Sequence, residues 1–166
     1  MPPLTRPDPA DRRLIQERLL RMVQRWPQVS GCHLNPDPEV VRGIVGALAQ
    51  SVLDAGYSYC PCRDRTGDPQ QDRALICPCA FHQEEIARDG HCKCVLFVGE
   101  HFDPEVAYTF RQPPGGRPMQ PLRALRRREV SLYLTAWCGQ SRRTKRWLES
   151  HRIPFREVDV DVDEAA

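Results

Sequence analysis

The sequence predicts a mainly α fold with loops organised by clustered cysteines, followed by a small β-α-β fragment. Three patterns predict it. Apolar residues recur at helical spacing in two stretches that end by Gly56. Three Cys-x-Cys pairs follow, Cys60-Pro61-Cys62, Cys77-Pro78-Cys79 and Cys92-Lys93-Cys94, and they hold six of the eight cysteines. From residue 129 onward a strand, a turn, a helix and a second strand read in succession.

From Asp11 to Trp26, the residues Leu14, Ile15, Leu19, Met22, Val23 and Trp26 form an apolar stripe between arginines. Pro27 ends that helix, because its ring and missing N–H cannot continue the backbone bonding. A second helix starts at Asn35-Pro36-Asp37-Pro38, where Asp37 can cap and Pro38 suits the first helical position. Its Val40, Val41, Ile44, Val45, Leu48, Val52 and Leu53 form one stripe, closed by Gly56. Both stripes are expected to be core and to give a helical base for the cysteine loops. Between Tyr57 and Val98 we expect short loops, a helical turn or two around Gln83 to Arg88, and an apolar run, Val95-Leu96-Phe97-Val98, that can shield a buried centre from water. Residues 111–128 contain Pro113, Pro114, Gly115, Gly116, Pro118 and Pro121 with six arginines and no acid, the composition of a linker. The expected organisation is a domain over 1–110, a linker over 111–128 and a C-terminal segment over 129–166.

A Cys-x-Cys pair is too tight for the spacing of a zinc knuckle, and six thiols exceed the needs of one four-coordinate ion. The economical reading is one iron–sulfur cluster held by four thiolates, with the other two sulfurs close enough to form a disulfide beside it. Cys32, upstream of the pairs, reads as a small buried side chain.

A chain of 166 residues with 40% apolar content can build one modest domain and a smaller element. No apolar stretch approaches the roughly 20 residues that span a bilayer, and Met1 to Asp11 has no secretory apolar run. A cytoplasmic protein is expected. In that reducing compartment clustered cysteines ligate metal or do redox work more often than they staple a fold. The net charge of +2 conceals an asymmetry: Arg111 to Arg156 carries twelve Arg or Lys against Glu129 and Glu149. Such a stretch attracts an acidic partner. No nucleic-acid module accompanies it, so neither nucleic acid nor membrane is expected as a partner.

The order Gly31-Cys32-His33-Leu34-Asn35-Pro36-Asp37, Cys60-Pro61-Cys62-Arg63, Ile76-Cys77-Pro78-Cys79 and Cys92-Lys93-Cys94-Val95-Leu96-Phe97 resembles the catalytic (beta) chain of ferredoxin:thioredoxin reductase. The resemblance implies a [4Fe–4S] cluster, ferredoxin as electron donor, and reduction of a disulfide on a thioredoxin- or glutaredoxin-type partner. By motif position it makes Cys60, Cys77, Cys79 and Cys92 the cluster ligands and Cys62 and Cys94 the redox-active disulfide. It also makes Cys94 the sulfur facing the cluster and Cys62 the nucleophile. Ferredoxin gives one electron at a time whereas opening a disulfide takes two, which is the chemical reason to set a cluster beside the disulfide. The basic linker is the expected receiver of an acidic ferredoxin.

The chain departs from the plant-type pattern at the third pair, where Lys93 replaces the histidine of Cys-His-Cys. A lysine charged at neutral pH favours a nearby thiolate but does not shuttle protons as histidine does. His82 and His91 are the substitutes for that role, although each reads first as an ordinary surface histidine. Two other readings use the same cysteines: a non-enzymatic iron–sulfur electron carrier or redox sensor, in which Cys62 and Cys94 protect the cluster, and a zinc-binding interaction module.

In the last segment Val130 to Thr135 reads as a strand, Ala136-Trp137-Cys138-Gly139-Gln140-Ser141 as a turn into a helix, and Phe155 to Val162 as an alternating strand. It resembles the opening β-α-β unit of a glutaredoxin, a thioredoxin-like fragment with Cys-x-x-Ser in place of Cys-x-x-Cys. Cys138 at a helix N-terminus, followed by Arg142, Arg143, Lys145 and Arg146, is expected to be a reactive thiolate. Ser141 cannot resolve a mixed disulfide, so Cys138 needs an outside thiol such as glutathione or Cys62. The sequence ends at Ala166, before the later strands and cis-proline loop of a full thioredoxin fold, so we expect a relay or tethered substrate and not an independent glutaredoxin.

Overall fold

The computed structural model describes residues 9–108 and 129–162, so the expected linker over 111–128 lies outside the described residues. The chain divides into two units, Met1–Phe102 and Asp103–Ala166. Helices dominate, and each described sheet has two strands.

The first unit rests on α1 (Pro9–Arg25) and α3 (Pro38–Ala55), which pack against each other. In α3 the Asp37 carboxylate accepts the Glu39 N–H at 2.9 Å, as its capping position requires. Gly56, at φ 78°, closes the helix by donating its N–H to the Val52 carbonyl. Val40, Val41, Ile44, Val45, Leu48 and Ala49 are buried, whereas Val52 and Leu53 at the end of the expected stripe are half-buried. The stripe on α1 is less of a core than expected. Val23 is fully buried, Ile15, Leu19, Met22 and Trp26 are half-buried, and Leu14 is exposed. A surface helix that packs chiefly on one long neighbour buries only the ridge in contact with it. Pro27 does end α1, but it also starts an unanticipated short helix, α2 (Pro27–Ser30), in which it takes the first position.

A two-residue strand, β1 (His33–Leu34), pairs antiparallel with β2 (Phe97–Val98), His33 facing Val98 and Leu34 facing Phe97. This short ladder fastens the segment before α3 to the apolar run, whose Val95, Leu96, Phe97 and Val98 are all buried. Between them lie α4 (Pro69–Asp72), one 3₁₀ turn (Arg73–Leu75) and α5 (His82–Asp89). The loop before α4 is organised by Asp72, itself buried. Its carboxylate accepts the Thr66 N–H at 2.8 Å, the Thr66 hydroxyl at 2.9 Å and the Gly67 N–H at 3.1 Å.

In the second unit α6 (Pro104–Ala107) is capped by Asp103, and β3 (Ser131–Leu134) runs parallel to β4 (Arg156–Asp159), connected through α7 (Gly139–Ser150). Leu148, Ile153 and Val158 are its buried apolar centre. The second strand is shorter than expected, because the chain turns after Asp159: the Asp159 carboxylate accepts the Asp161 N–H, and the Asp159 carbonyl accepts that of Val162. No helix among the described residues is long and apolar enough to cross a membrane.

The three donors on Asp72 hold its carboxyl below the ordinary carboxylate range, the Thr66 N–H contributing most. Its stabilising effect is present above the unfolded-state pKa and disappears as pH falls through the lower folded-state value. Asp72→Asn should therefore lower the melting temperature at pH 7, and the gap to wild type should narrow once the pH drops below about 3.9. A gap that stays constant on acidification would refute this account of the loop.

Candidate functional site

The three cysteine pairs lie on loops that the backbone draws together. The Cys60 N–H donates to the Leu75 carbonyl and the Cys77 N–H to the Ser58 carbonyl, which sets the first pair against the second through a bridge between Tyr59 and Ile76. The third pair sits in a tight turn, with the Cys92 N–H bonded to the Phe97 carbonyl and the Val95 N–H to the Cys92 carbonyl. Val95 has φ 61°, a left-handed conformation that a β-branched residue adopts only at about 1–3 kcal/mol of strain.

Asn35 holds that turn. Buried, it donates its amide N–H to the Val95 carbonyl at 2.6 Å and its backbone N–H to the Leu96 carbonyl at 2.9 Å, while its amide oxygen accepts the Asp37 N–H. A residue two positions before the α3 cap thus fixes the backbone immediately after Cys94.

All six paired cysteines come together. Cys94 contacts Cys60, Cys62 and Cys92, its sulfur lying 3.6 Å from that of Cys92, and Cys60 also contacts Cys79. Hydrogen bonds from the Cys79 thiol and then the Cys94 thiol pull the Cys60 pKa down to about 3. The Cys94 hydrogen bond likewise lowers Cys92, whose sulfur further accepts the Phe97 N–H at 3.3 Å. The donating partners move the other way, Cys79 and Cys94 being raised first by their bonds to Cys60. Cys77 is raised chiefly by burial and next by the charge of Cys60. Five of the six are buried, and Cys62 alone among them is half-exposed. Cys32 is buried with its sulfur 3.0 Å from the Ser30 hydroxyl, away from any assigned role.

Two groups that the sequence reading missed frame the sulfurs. Arg63 follows Cys62 directly. Its guanidinium contacts Cys79, lies 4.4 Å above the centre of the Phe81 ring and pairs with Glu85, both side chains of the pair being largely buried. The second Glu85 oxygen accepts the backbone N–H of Lys93 at 2.9 Å. One carboxylate therefore ties the Cys62 loop to the Cys94 loop. The Lys93 side chain itself is exposed. The only advance signal for Arg63 and Glu85 was their place, one just after a cysteine pair and the other in the first turn of a helix.

His82 is not the surface histidine it was expected to be. It is buried, its Nε2 accepts the Trp26 indole N–H at 3.1 Å, and its Nδ1 is 2.6 Å from the Cys79 carbonyl. An accepting Nε2 requires the proton to reside on Nδ1, which donates to that carbonyl. Both nitrogens are committed, so His82 supports structure and does not shuttle protons. His91 is half-buried, with Nδ1 2.9 Å from the Cys92 carbonyl.

Cys138 belongs to the second unit, half-exposed at the N-cap of α7, where its side chain bonds no helix N–H. The cations expected to activate it have other partners. Arg142 bonds the Ala136 carbonyl, Arg143 the Ala107 carbonyl, Lys145 pairs with Glu157 and Arg146 with Glu105.

The donor set suits an iron–sulfur cluster. It is all sulfur, beside the buried Val95 to Val98 run; the Phe97 N–H bonds the Cys92 sulfur, and the Arg63 guanidinium contacts Cys79 while its buried Nε has no partner among the described residues. Among the described residues no three His, Cys, Asp or Glu groups are arranged to chelate a single ion. A multi-iron cluster needs its thiolates around a larger core, so the convergence of sulfurs and orphaned donor is the more relevant test here.

Comparison with known families adds two matches. The family model of the ferredoxin thioredoxin reductase catalytic beta chain matches residues 11–112, more than half of the chain, and that of glutaredoxin matches residues 130–166. No curated protein matches the chain.

Removing one member of a buried ion pair leaves an uncompensated charge. Glu85→Leu should therefore destabilise the protein by about 3 kcal/mol, and Arg63→Leu/Glu85→Leu should recover part of that loss. Chemical denaturation of the anaerobic protein measures both, and a double variant weaker than the single one would contradict the pairing argument.

Proposed function

Because the chain belongs to the ferredoxin thioredoxin reductase catalytic beta chain family, a family of disulfide oxidoreductases, we propose that it is a ferredoxin-dependent disulfide reductase acting on a thioredoxin- or glutaredoxin-type partner. In this reading Cys60, Cys77, Cys79 and Cys92 hold a [4Fe–4S] cluster, and Cys62 and Cys94 are the redox-active pair. When bound, the cluster supplies the electrons of ferredoxin one at a time.

The observation that carries the proposal is the asymmetry of one pair: Cys62 is half-exposed and contacts Cys94, which is buried. A nucleophile must reach a partner's disulfide, while its resolving sulfur must stay within the protein. The Cys62 thiolate attacks the target, breaking its disulfide and forming a mixed disulfide as the first target sulfur leaves and takes a proton. Cys94 gives up its proton and attacks the Cys62 sulfur, which releases the second target sulfur and leaves a Cys62–Cys94 disulfide. Two electrons and two protons return that disulfide to thiols. Lys93, on the Cys94 loop, adds positive charge that favours a thiolate. A non-enzymatic electron carrier has no use for an accessible sulfur touching a buried one, which favours the enzyme over a carrier.

For the second unit we propose a one-thiol relay. Cys138 can enter a mixed disulfide, Ser141 cannot resolve it, and an outside thiol must do so. We place the protein in the cytoplasm, where such thiols stay reduced.

Anaerobically purified protein should carry about four irons and four sulfides per chain. Cys62→Ser should keep that cluster yet lose disulfide reduction by more than about a thousandfold. Cys94→Ser should accumulate a mixed disulfide between Cys62 and one cysteine of an oxidised thioredoxin, whose other cysteine leaves as a thiol, visible by mass spectrometry. Zinc without labile sulfide would sink the proposal in favour of a structural metal module, and full reductase activity in Cys62→Ser would assign the nucleophile elsewhere.

A further inference from the structure

We infer that the arginine-lined groove of α1 and α2 around Trp26 is the docking surface for an acidic one-electron donor protein, an inference that rests on the reductase reading and names the face that donor uses. The groove encloses about 540 Å³ and is lined by Arg18, Arg21, Arg25, Met22, Trp26 and Val29 among others. Its three arginines recur at helical spacing on one side of α1, all exposed, and none forms an ion pair among the described residues. Elsewhere in the same unit, Arg13, Arg63 and Arg88 each have an acidic partner. Val29, 77% exposed, adds an apolar rim. Unpaired cations around an apolar floor are the complement of an acidic protein surface with an apolar centre, and they steer encounter as well as hold it.

What lies beneath the floor separates this patch from an ordinary solvated helix face. The indole N–H of Trp26 donates to His82, their rings 5.6 Å apart, and the His82 ring lies 5.9 Å from that of Phe97. His82 bonds the Cys79 carbonyl and the Phe97 N–H bonds the Cys92 sulfur. The groove thus ends two hydrogen bonds from one proposed cluster ligand, Cys79, and two tilted ring contacts and one hydrogen bond from another, Cys92. Two successive encounters at this face deliver two electrons, each oxidising one donor molecule, and with two protons from solvent they convert the Cys62–Cys94 disulfide to two thiols.

The test uses the cluster-loaded full chain and a reduced acidic ferredoxin as probe, in anaerobic rapid mixing at low and high salt. Arg21→Glu/Arg25→Glu should lower the second-order rate of reduction about tenfold or more at low salt and flatten its salt dependence. The same variant should be reduced by dithionite at the wild-type rate, which shows that it is folded and loaded. Arg42→Glu/Arg73→Glu, two exposed arginines outside the groove with the same change in net charge, should retain the wild-type rate. Equal rates for Arg21→Glu/Arg25→Glu and wild type, or an equal loss in Arg42→Glu/Arg73→Glu, would overturn the surface alone. A wild-type protein that takes electrons from dithionite and none from the ferredoxin would overturn the ferredoxin-dependent reading, and the surface with it.

Discussion

Packing sulfur that must carry charge into an apolar interior is the constraint around which the first unit is built. An isolated buried anion is expensive, and several close together are worse, because burial and mutual repulsion act in the same direction. The thiols answer this in part among themselves, Cys60 hydrogen-bonding with Cys79 and Cys94, and Cys92 with Cys94. The Arg63 guanidinium answers it with a full charge, itself stacked on Phe81 and balanced by Glu85. The proposed cluster would answer it most completely, since coordination removes thiol protons and neutralises the resulting charge. The same need explains why the Val95 backbone tolerates a strained conformation: Asn35 and the β1–β2 ladder fix the turn from both sides, and the buried run behind it gives the strain nowhere to relax.

The second unit works under a looser constraint. Its parallel strands and crossover helix bury a small centre at Leu148, Ile153 and Val158. The basic residues of α7 mostly serve local structure. Arg142 and Arg146 approach the Tyr108 ring, and Arg143 and Arg146 fasten the α6 segment, so three of the four basic residues of α7 help tie α6 to α7. Positive charge near a cysteine in sequence is a poor guide to positive charge near its sulfur, because long basic side chains reach back along the helix or across to other elements.

That contrast describes what the sequence made legible. Periodic apolar residues and explicit caps located α3 to within its own boundaries, since Asp37, Pro38 and Gly56 are local signals with local effects. Cysteine spacing brought six sulfurs to one place for a similar reason, because each pair is short and rigid. The supporting shell was not legible. Asn35, Glu85 and His82 act across tens of residues, through bonds to Val95, Arg63 and Trp26, and nothing in their neighbourhoods distinguishes them from capping, surface or solvated residues. The length of β1 and β2 hid them as well, since two residues carry no detectable alternation.

The bridge made by Glu85 bears on how the proposed Cys62–Cys94 pair would behave between turnovers. Its two oxygens grip the loop after Cys62 and the loop before Cys94 through groups that take no part in sulfur chemistry, a guanidinium and a backbone N–H. Neither contact uses a cysteine sulfur, so in the proposed cycle the grip would not depend on whether the two sulfurs are bonded to each other. Opening the bond would then free the sulfurs but not their loops, and each would remain at high effective molarity toward the other. Resolution of a mixed disulfide in that cycle would be an intramolecular step with its entropy already spent in folding, and the partner would have only to dissociate.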